Sequence, residues 1–240
     1  MAGFIMSKKI RVFDFFSGCG GTSQGLKTAG CEIVFGLDFD YDSSETFKAN
    51  NPDAVFINDD IRSVDVADIS QLVETAKKDA KILFCGCAPC QPFSKQNQNK
   101  TTSDPRRGLL SEFGRFVEFY EPDYVLIENV PGLQKVDVND GPLYGFISIL
   151  KNRNYNLVYG VIPALWYGVP QTRERFVLMA SLESQIHLPE RTHNGTDIPF
   201  ATVRDWIGNI PSIEAGESHP LVKDHVSAKL SELNLKRIRC

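Results

Sequence analysis

The sequence predicts an α/β fold: a mostly parallel, twisted sheet with helices on both faces. Three observations lead there. Short apolar runs of strand length alternate with segments whose apolar residues recur at helical spacing, the pattern of a sheet wound from βα units. The first run, 10–15, ends in a glycine-rich turn, Phe16-Ser17-Gly18-Cys19-Gly20-Gly21, and glycines let a backbone close tightly at a strand's carboxyl end, where α/β sheets bind ligands. A later run, 81–85, leads into Gly86-Cys87-Ala88-Pro89-Cys90-Gln91-Pro92-Phe93-Ser94. The prolines bracketing Cys90 cannot continue a helix or a central strand, so the chain breaks there and displays a thiol on a stiff turn.

After the first strand, a helix is expected over about 22–29, stopped by Gly30. A second strand, 32–37, ends at Asp38, about twenty residues past the turn, where a carboxylate can accept hydrogen bonds from ribose hydroxyls. A helix over 43–49 and a short strand over 54–57 lead to Asn58-Asp59-Asp60-Ile61. Carboxylates at this third strand end suit an adenine amino group or, more plainly, a turn or a helix cap. Residues 68–79 read as a helix with Ile69, Leu72, Val73 and Ala76 on one face. The stretch 95–108 is polar and aperiodic, a long connection of the mobile or functional kind. Its Lys95, Lys100, Arg106 and Arg107 face only Asp104 in charge, which makes either a solvated loop or a phosphate-contacting one.

Residues 112–120 read as a helix, and 123–127 as the fifth strand, delivering Glu128 at its end. An amphipathic segment over 141–153 and a strand over 156–162 follow. Arg173-Glu174-Arg175 then leads into 176–180, the expected last strand of the sheet. One domain is expected over residues 1–180 and an extension over 181–240, where Pro189, Pro199, Pro211 and Pro220 break the chain into short pieces. A small helix around 202–207 and a terminal helix around 226–233 are expected there.

At 240 residues the chain can bury one sizeable core, or a core plus an appendage. Its formal charge of −4 does not advertise a nucleic-acid binder, so any basic contact has to be local. No apolar run nears the ~20 residues that span a bilayer. The first nine residues carry their charges after a very short apolar patch, the wrong order for a secretion signal. A cytoplasmic chain with reduced thiols is therefore expected, and six cysteines need not mean three disulfides. Cys85 and Cys87 suit small buried residues. A metal half-site is disfavoured, because C-x-C-x-x-C has no second Cys/His pair at ligand spacing, and no metal is expected. Cys90 is the candidate for reactive chemistry.

Pro89-Cys90-Gln91-Pro92-Phe93-Ser94 resembles the nucleophile motif of the cytosine-C5 DNA methyltransferases, bacterial Dcm-like type. Asp14 to Gly21 resembles their cosubstrate motif, Glu128-Asn129-Val130 their acidic motif, and Gln171-Thr172-Arg173-Glu174-Arg175 their Q-x-R-x-R motif. The four stand in the family's order. The resemblance implies a Rossmann-like S-adenosylmethionine-dependent methyltransferase fold, with residues 1–180 as the catalytic, cosubstrate-binding domain. It implies that Phe16, Gly18 and Gly20 cradle the cosubstrate, that Asp38 and Phe39 meet its ribose and adenine, and that Asp60 and Ile61 meet its adenine. Pro89 and Leu109 complete that set. Asp38 stands where the family usually has Glu, and Phe39 where some members have a larger aromatic.

For catalysis the resemblance implies Cys90 as nucleophile, with Glu128, Arg173 and Arg175 around the base and Gln91, Ser94, Asn129 and Gln171 toward substrate and DNA. The polar segment after Cys90 closes over DNA in this family. Carbon 5 of cytosine is a poor nucleophile; a thiolate added to carbon 6 makes it electron-rich. The base must leave the duplex stack to react. The implied activity is transfer of a methyl group from S-adenosylmethionine to cytosine in double-stranded DNA, in a bacterial restriction-modification setting. Family members continue through a target-recognition region and two further motifs that residues 181–240 do not show. A second subunit carrying them, a truncation, or a degenerate relative would each account for this, and a split or truncated enzyme is favoured. An RNA cytosine-C5 methyltransferase and a non-catalytic subunit remain alternatives. A nicotinamide oxidoreductase is the reading of the glycine turn alone, against an incomplete fingerprint.

Overall fold

Residues 9–89, 108–132 and 141–239 are described by the structure, a computed structural model. They divide into two compact units, one of residues 1–164 and 172–191, the other of residues 165–171 and 192–240. The first unit thus runs past residue 180, and the second takes in a short stretch ahead of Arg173 and Arg175.

The first unit is a seven-stranded sheet in the order β3-β2-β1-β4-β5-β7-β6. Its strands are β1 (Ile10–Phe15), β2 (Glu32–Leu37), β3 (Val55–Ile57), β4 (Lys81–Gly86), β5 (Tyr124–Asn129), β6 (Asn156–Pro163) and β7 (Glu174–Ser181). Among the described residues five α-helices accompany them: α1 (Gly21–Thr28), α2 (Tyr41–Asn50), α3 (Ser70–Lys77), α4 (Leu109–Tyr120) and α5 (Pro142–Asn152). The pairings of β1 with β2, β2 with β3, β1 with β4 and β4 with β5 are parallel; β7 runs antiparallel to both β5 and β6. The strand expected last in the sheet is last only in sequence. It inserts between β5 and β6, and its fully buried Phe176, Leu178 and Ala180 explain why: such a strand needs neighbours on both sides.

Phenylalanine dominates one face. Phe15 on β1 lies 5.4 Å from Phe35 on β2, 5.1 Å from Phe84 on β4, and 5.2 and 5.0 Å from Phe113 and Phe116 on α4, ring centre to ring centre. These are tilted contacts within the range that favours aromatic pairs. The other face is a smaller cluster of Val12, Ile33, Phe47, Leu83 and Cys85, against which Leu26 of α1 packs. Alternating side chains of each central strand therefore serve two layers, which is why those strands read as continuous apolar runs.

Glu128 lies inside β5 rather than beyond it, because the ladder to β7 pairs Glu128 with Val177 and Asn129 with Phe176. In the second unit, α6 (Val203–Ile207) begins at a capping box made by Thr202 and Asp205. The terminal helix differs from expectation. It is α7 (Glu232–Arg239), and residues 226–231 are not helical. Val226 bridges to Ser218, Ser227 accepts and donates hydrogen bonds with Gly216 and Glu214, and Ser231 accepts from the backbone N–H groups of Asn234 and Leu235 as the helix starts. Short hydroxyl side chains favour such local bonds over a helix interior.

Replacing Phe15 by Ala removes a ring that touches four others, and should lower unfolding free energy by about 3–5 kcal/mol. Urea unfolding checks this: the midpoint should fall with little change in slope. A loss below about 1 kcal/mol would mean that the ring cluster is not the main source of core stability.

Candidate active site

The strand order reverses between β1 and β4, so their carboxyl ends open a crevice where an open α/β sheet binds ligands. The turn after β1 fills one side of it. Phe16, Gly18 and Gly20 have φ of 60°, 51° and 88°, a left-handed backbone that a non-glycine residue adopts only at some strain. At Gly20 a Cβ would also come within 3.1 Å of the Phe47 ring. The turn is tied to β2: Ser17 donates its backbone N–H to the Leu37 carbonyl at 3.0 Å. Gly18 donates to Oδ2 of Asp38 at 2.8 Å, and Oδ1 of Asp38 accepts from the Asp40 N–H at 2.9 Å. Asp38 is thus a clamp on the glycine turn, using one oxygen for each neighbouring loop and leaving further lone pairs for a ligand.

Beneath the turn lies Asp14, fully buried. Ser23 Oγ donates to its Oδ2 at 2.6 Å, while Asp14 Oδ1 and the Ser17 hydroxyl lack partners among the described residues. Burial pushes the Asp14 carboxyl up to about 6 from 3.8, with Asp38's charge adding to the rise and Ser23 and Cys85 opposing it.

A cavity of about 350 Å³ opens beside the turn. Seven of the nine residues assigned to the cosubstrate from sequence line it. Phe16 and Asp38 come from the ends of β1 and β2, with Phe39 exposed beside them; Asp60 and buried Ile61 follow β3; Pro89 follows β4; Leu109 opens α4. Gly18 and Gly20 shape the turn itself. Leu37, Asp59 and Arg62 also line the cavity and carried no individual assignment. For Arg62 a signal was present in the sequence: a cation two residues after Asp60, close enough along a turn to fork onto its carboxylate.

The next strand end carries a second group. Arg175 Nε on β7 lies 2.6 Å from Oε1 of Glu128 on β5. Burial, the larger influence, raises the Glu128 carboxyl above its ordinary value; the charge of Arg173 opposes the rise, and contact with Arg175 acts in the same sense as Arg173. Arg173 is exposed, and its carbonyl accepts the Ala164 N–H at 2.7 Å. Asn129, assigned toward substrate, is buried, with Nδ2 donating to the Ala88 carbonyl at 3.0 Å and Oδ1 accepting the Val130 N–H at 2.7 Å. Its amide therefore holds the backbone just before Pro89. Gln171 is exposed and belongs to the second unit. Cys90, Gln91, Ser94 and the basic segment after them lie outside the described residues.

The neighbouring thiols are protonated. Burial drives Cys85 well above its usual value, and drives Cys87, which lies 3.3 Å from Thr22 Oγ1, up to about 12. Neither is a nucleophile at neutral pH. Among the described residues no group of three or more His, Cys, Asp or Glu is placed to hold a metal ion, and no helix is long and apolar enough to cross a membrane.

A sheet that reverses between β1 and β4 and carries an antiparallel β7 inside its far edge defines a Rossmann-like methyltransferase fold. The crystal structure of a prophage-encoded DNA modification methyltransferase from E. coli shares it, with a TM-score of 0.71 and 25% identity over 90% of this chain and 61% of that one. The Dnmt2 methyltransferase of S. pombe shares the fold at a TM-score of 0.59 and 24% identity, over 75% of this chain and 53% of that one. The C-5 cytosine-specific DNA methylase family matches residues 10–236, and the chain belongs to that family. Type II methylase M.HgiDII of Herpetosiphon aurantiacus is 34% identical over 95% of this chain and 62% of its own length. Type II methyltransferase M.DdeI of Desulfomicrobium norvegicum is 32% identical over 87% of this chain and 50% of its own. The chain spans between half and two thirds of these relatives' length.

The buried Asp14 sets a pH dependence of stability. Its folded value is raised, so its contribution is fully present below about pH 4 and is lost as pH rises through about 6. Unfolding free energy should therefore fall across that window by an amount on the order of 3 kcal/mol from this group, and Asp14→Asn should flatten that slope. Denaturant titrations of both proteins at pH 4, 5, 6 and 7 measure it; parallel pH curves would show that folding leaves the Asp14 carboxyl at its ordinary value.

Proposed function

We propose that this chain transfers a methyl group from S-adenosylmethionine to carbon 5 of a cytosine flipped out of double-stranded DNA, as the catalytic part of a restriction-modification methyltransferase. The observation that carries this reading is the juxtaposition on adjacent strand ends of a cosubstrate-sized cavity and the Glu128–Arg175 pair. The first unit is the catalytic, cosubstrate-binding part, and the second leads toward target recognition. We assign base readout to the part of the longer relatives that lies outside the shared region.

The cavity's donor set suits S-adenosylmethionine. Its carboxylates at Asp38, Asp59 and Asp60 are acceptors for ribose hydroxyls and an adenine amino group, Phe16, Phe39 and Ile61 supply apolar surface, and Gly18 and Gly20 put no Cβ in the way. When bound there, the cosubstrate supplies an electrophilic sulfonium methyl. The chain's residues do the rest. The Cys90 thiolate adds to carbon 6 of cytosine, and the ring's electron pair moves toward N3. The Glu128 carboxyl, whose affinity for a proton is raised by burial, shares a proton at N3 and accepts from the exocyclic amine. Arg175, held in place by Glu128, points its remaining N–H groups at O2 and stabilises the same charge, with Arg173 in support. Once carbon 5 carries the methyl group, its proton leaves to solvent, the Cys90–carbon 6 bond breaks, and aromaticity returns. Cys85 and Cys87 take no part. Asn129 sets the path of the chain into the nucleophile turn.

Transfer of labelled methyl groups from S-adenosylmethionine to unmethylated duplex DNA tests the proposal. Transfer should be abolished by Cys90→Ala, and Glu128→Gln should lower kcat by roughly 10²–10⁴ with little change in cosubstrate affinity. Transfer that survives in Cys90→Ala, or that goes to tRNA and not to DNA, would overturn it. Where the chain alone is silent, the same assay with the remainder of a longer relative's sequence supplied in trans decides.

A further inference from the structure

Arg62 belongs to no assigned motif, yet among the described residues it is the only cation lining the cavity. It grips Asp60 with both arms of its fork: Nε lies 2.9 Å from Oδ1 and a terminal nitrogen 2.5 Å from Oδ2, while its backbone N–H donates to Oδ1 at 2.9 Å. The other two cavity carboxylates are held differently. Asp38 accepts only backbone N–H groups, and Asp59 Oδ1 accepts the Asp60 N–H at 2.7 Å.

The turn itself does not need this guanidinium. Ile61 is buried in the core at 2% exposure, Ser63 donates its N–H to the Asp60 carbonyl at 2.8 Å, and Arg115 donates to the Ile61 carbonyl at 3.0 Å. These contacts fix the backbone from below. What they leave undetermined is the orientation of the Asp60 carboxylate, which takes two of its three hydrogen bonds from the Arg62 side chain. The pair is about half exposed at Arg62 and a third at Asp60, so it contributes little to stability. Its geometric effect is larger. A carboxylate offers about four lone-pair directions; Arg62 occupies two on Oδ1 and one on Oδ2, leaving one on Oδ2.

We infer that Arg62 is a positioning residue that holds the Asp60 carboxylate with a single acceptor direction free, and thereby selects an adenine amino group over a carbonyl oxygen at the same place on the ligand. The inference rests on the cosubstrate reading above. Arg62's hydrogen bonds keep Asp60 ionised, so the free direction is an acceptor only. An amino N–H fits it, whereas a carbonyl oxygen meets a carboxylate oxygen and is repelled. The cation also offsets one charge in a cavity whose other charged residues are carboxylates.

The experiment is calorimetric binding of S-adenosylmethionine and of its inosine analogue, in which a carbonyl oxygen replaces the adenine amino group, to the wild-type chain, Arg62→Ala and Arg62→Lys. Loss of the two side-chain donors should weaken adenosyl binding ~10-fold while inosyl binding changes ~2-fold or less, so the preference shrinks. Arg62→Lys, with a point charge but no fork, should recover part of it. Thermal unfolding of the three proteins should coincide within a few degrees. A preference that survives in Arg62→Ala, or equal loss of both ligands, would overturn the inference. Wild-type protein that binds neither ligand would overturn the cosubstrate reading, and this inference with it; wild-type binding with no adenine preference would overturn the inference alone.

Discussion

Phe15 and Gly86 are partners at the last rung of the β1–β4 ladder, and both the glycine turn and the segment that reaches Pro89 start within a few residues of that rung. From Phe15 the chain turns left-handed into the glycine loop; from Gly86 it runs through Cys87 and Ala88 to Pro89. The Cys87 N–H still donates to the Phe15 carbonyl at 3.3 Å, so the pairing continues one residue past the named strands. The two segments are thereby held side by side before any ligand arrives. This follows from parallel strands whose connections lead in opposite directions around the sheet, which opens a crevice between the strand ends. The aromatic layer beneath explains why the rung stays put, since Phe15 and Phe84 pack with Phe113 and Phe116 from α4, and α4 opens with Leu109 at the cavity wall.

Charge is arranged around that crevice in graded fashion. Asp14, farthest in, has lost water on all sides and resists ionisation. Asp38 has two backbone N–H donors, each a tie to a neighbouring loop. Asp60 has a full guanidinium. Glu128 has Arg175 against one oxygen and Arg173 nearby, yet burial still leaves its carboxyl raised. The four acids are chemically alike, but a buried one suits structure, two held in polar loops suit hydrogen-bond acceptance, and one with a raised value beside an arginine suits sharing a proton with a heterocycle. Their roles follow from surroundings, not residue type.

Much of this was legible in the sequence. The strand ends were readable because buried parallel strands are apolar throughout and stop abruptly at glycine, proline or acid; hence Asp38, Asp60 and Glu128 could be placed at strand ends without a structure. The family resemblance pointed to seven of the residues that line the cavity. Other features were not legible, for identifiable reasons. The insertion of β7 between β5 and β6 is a choice of partner, and alternation along one strand says nothing about which neighbour it pairs with. Asn129 reads as a polar residue in a motif; only the packing reveals that its amide is consumed by Ala88 and Val130. The terminal helix was placed six residues early because Val226 to Ser231 has helical spacing of apolar residues, while Ser227 and Ser231 bond locally instead.

The antiparallel strand inside an otherwise parallel edge also explains the pairing of Glu128 with Arg175. Had β7 run parallel to β5, its entrance would lie at the opposite edge of the sheet from the end of β5, and a residue one position into the strand could not reach Glu128. Running antiparallel, β7 begins where β5 ends. An arginine at its start is then delivered across the ladder to the last charged residue of β5, and the register that sets Glu128 against Val177 leaves Arg175 two positions nearer the mouth of the crevice. Topology therefore brings together two residues 47 positions apart in sequence, at the side of the crevice opposite the Asp38 and Asp60 loops. A ligand lying across the carboxyl ends of β2, β1, β4 and β5 meets acceptors at one end and a carboxyl–guanidinium pair at the other. That is the order a cosubstrate and a flipped base would require of the sheet.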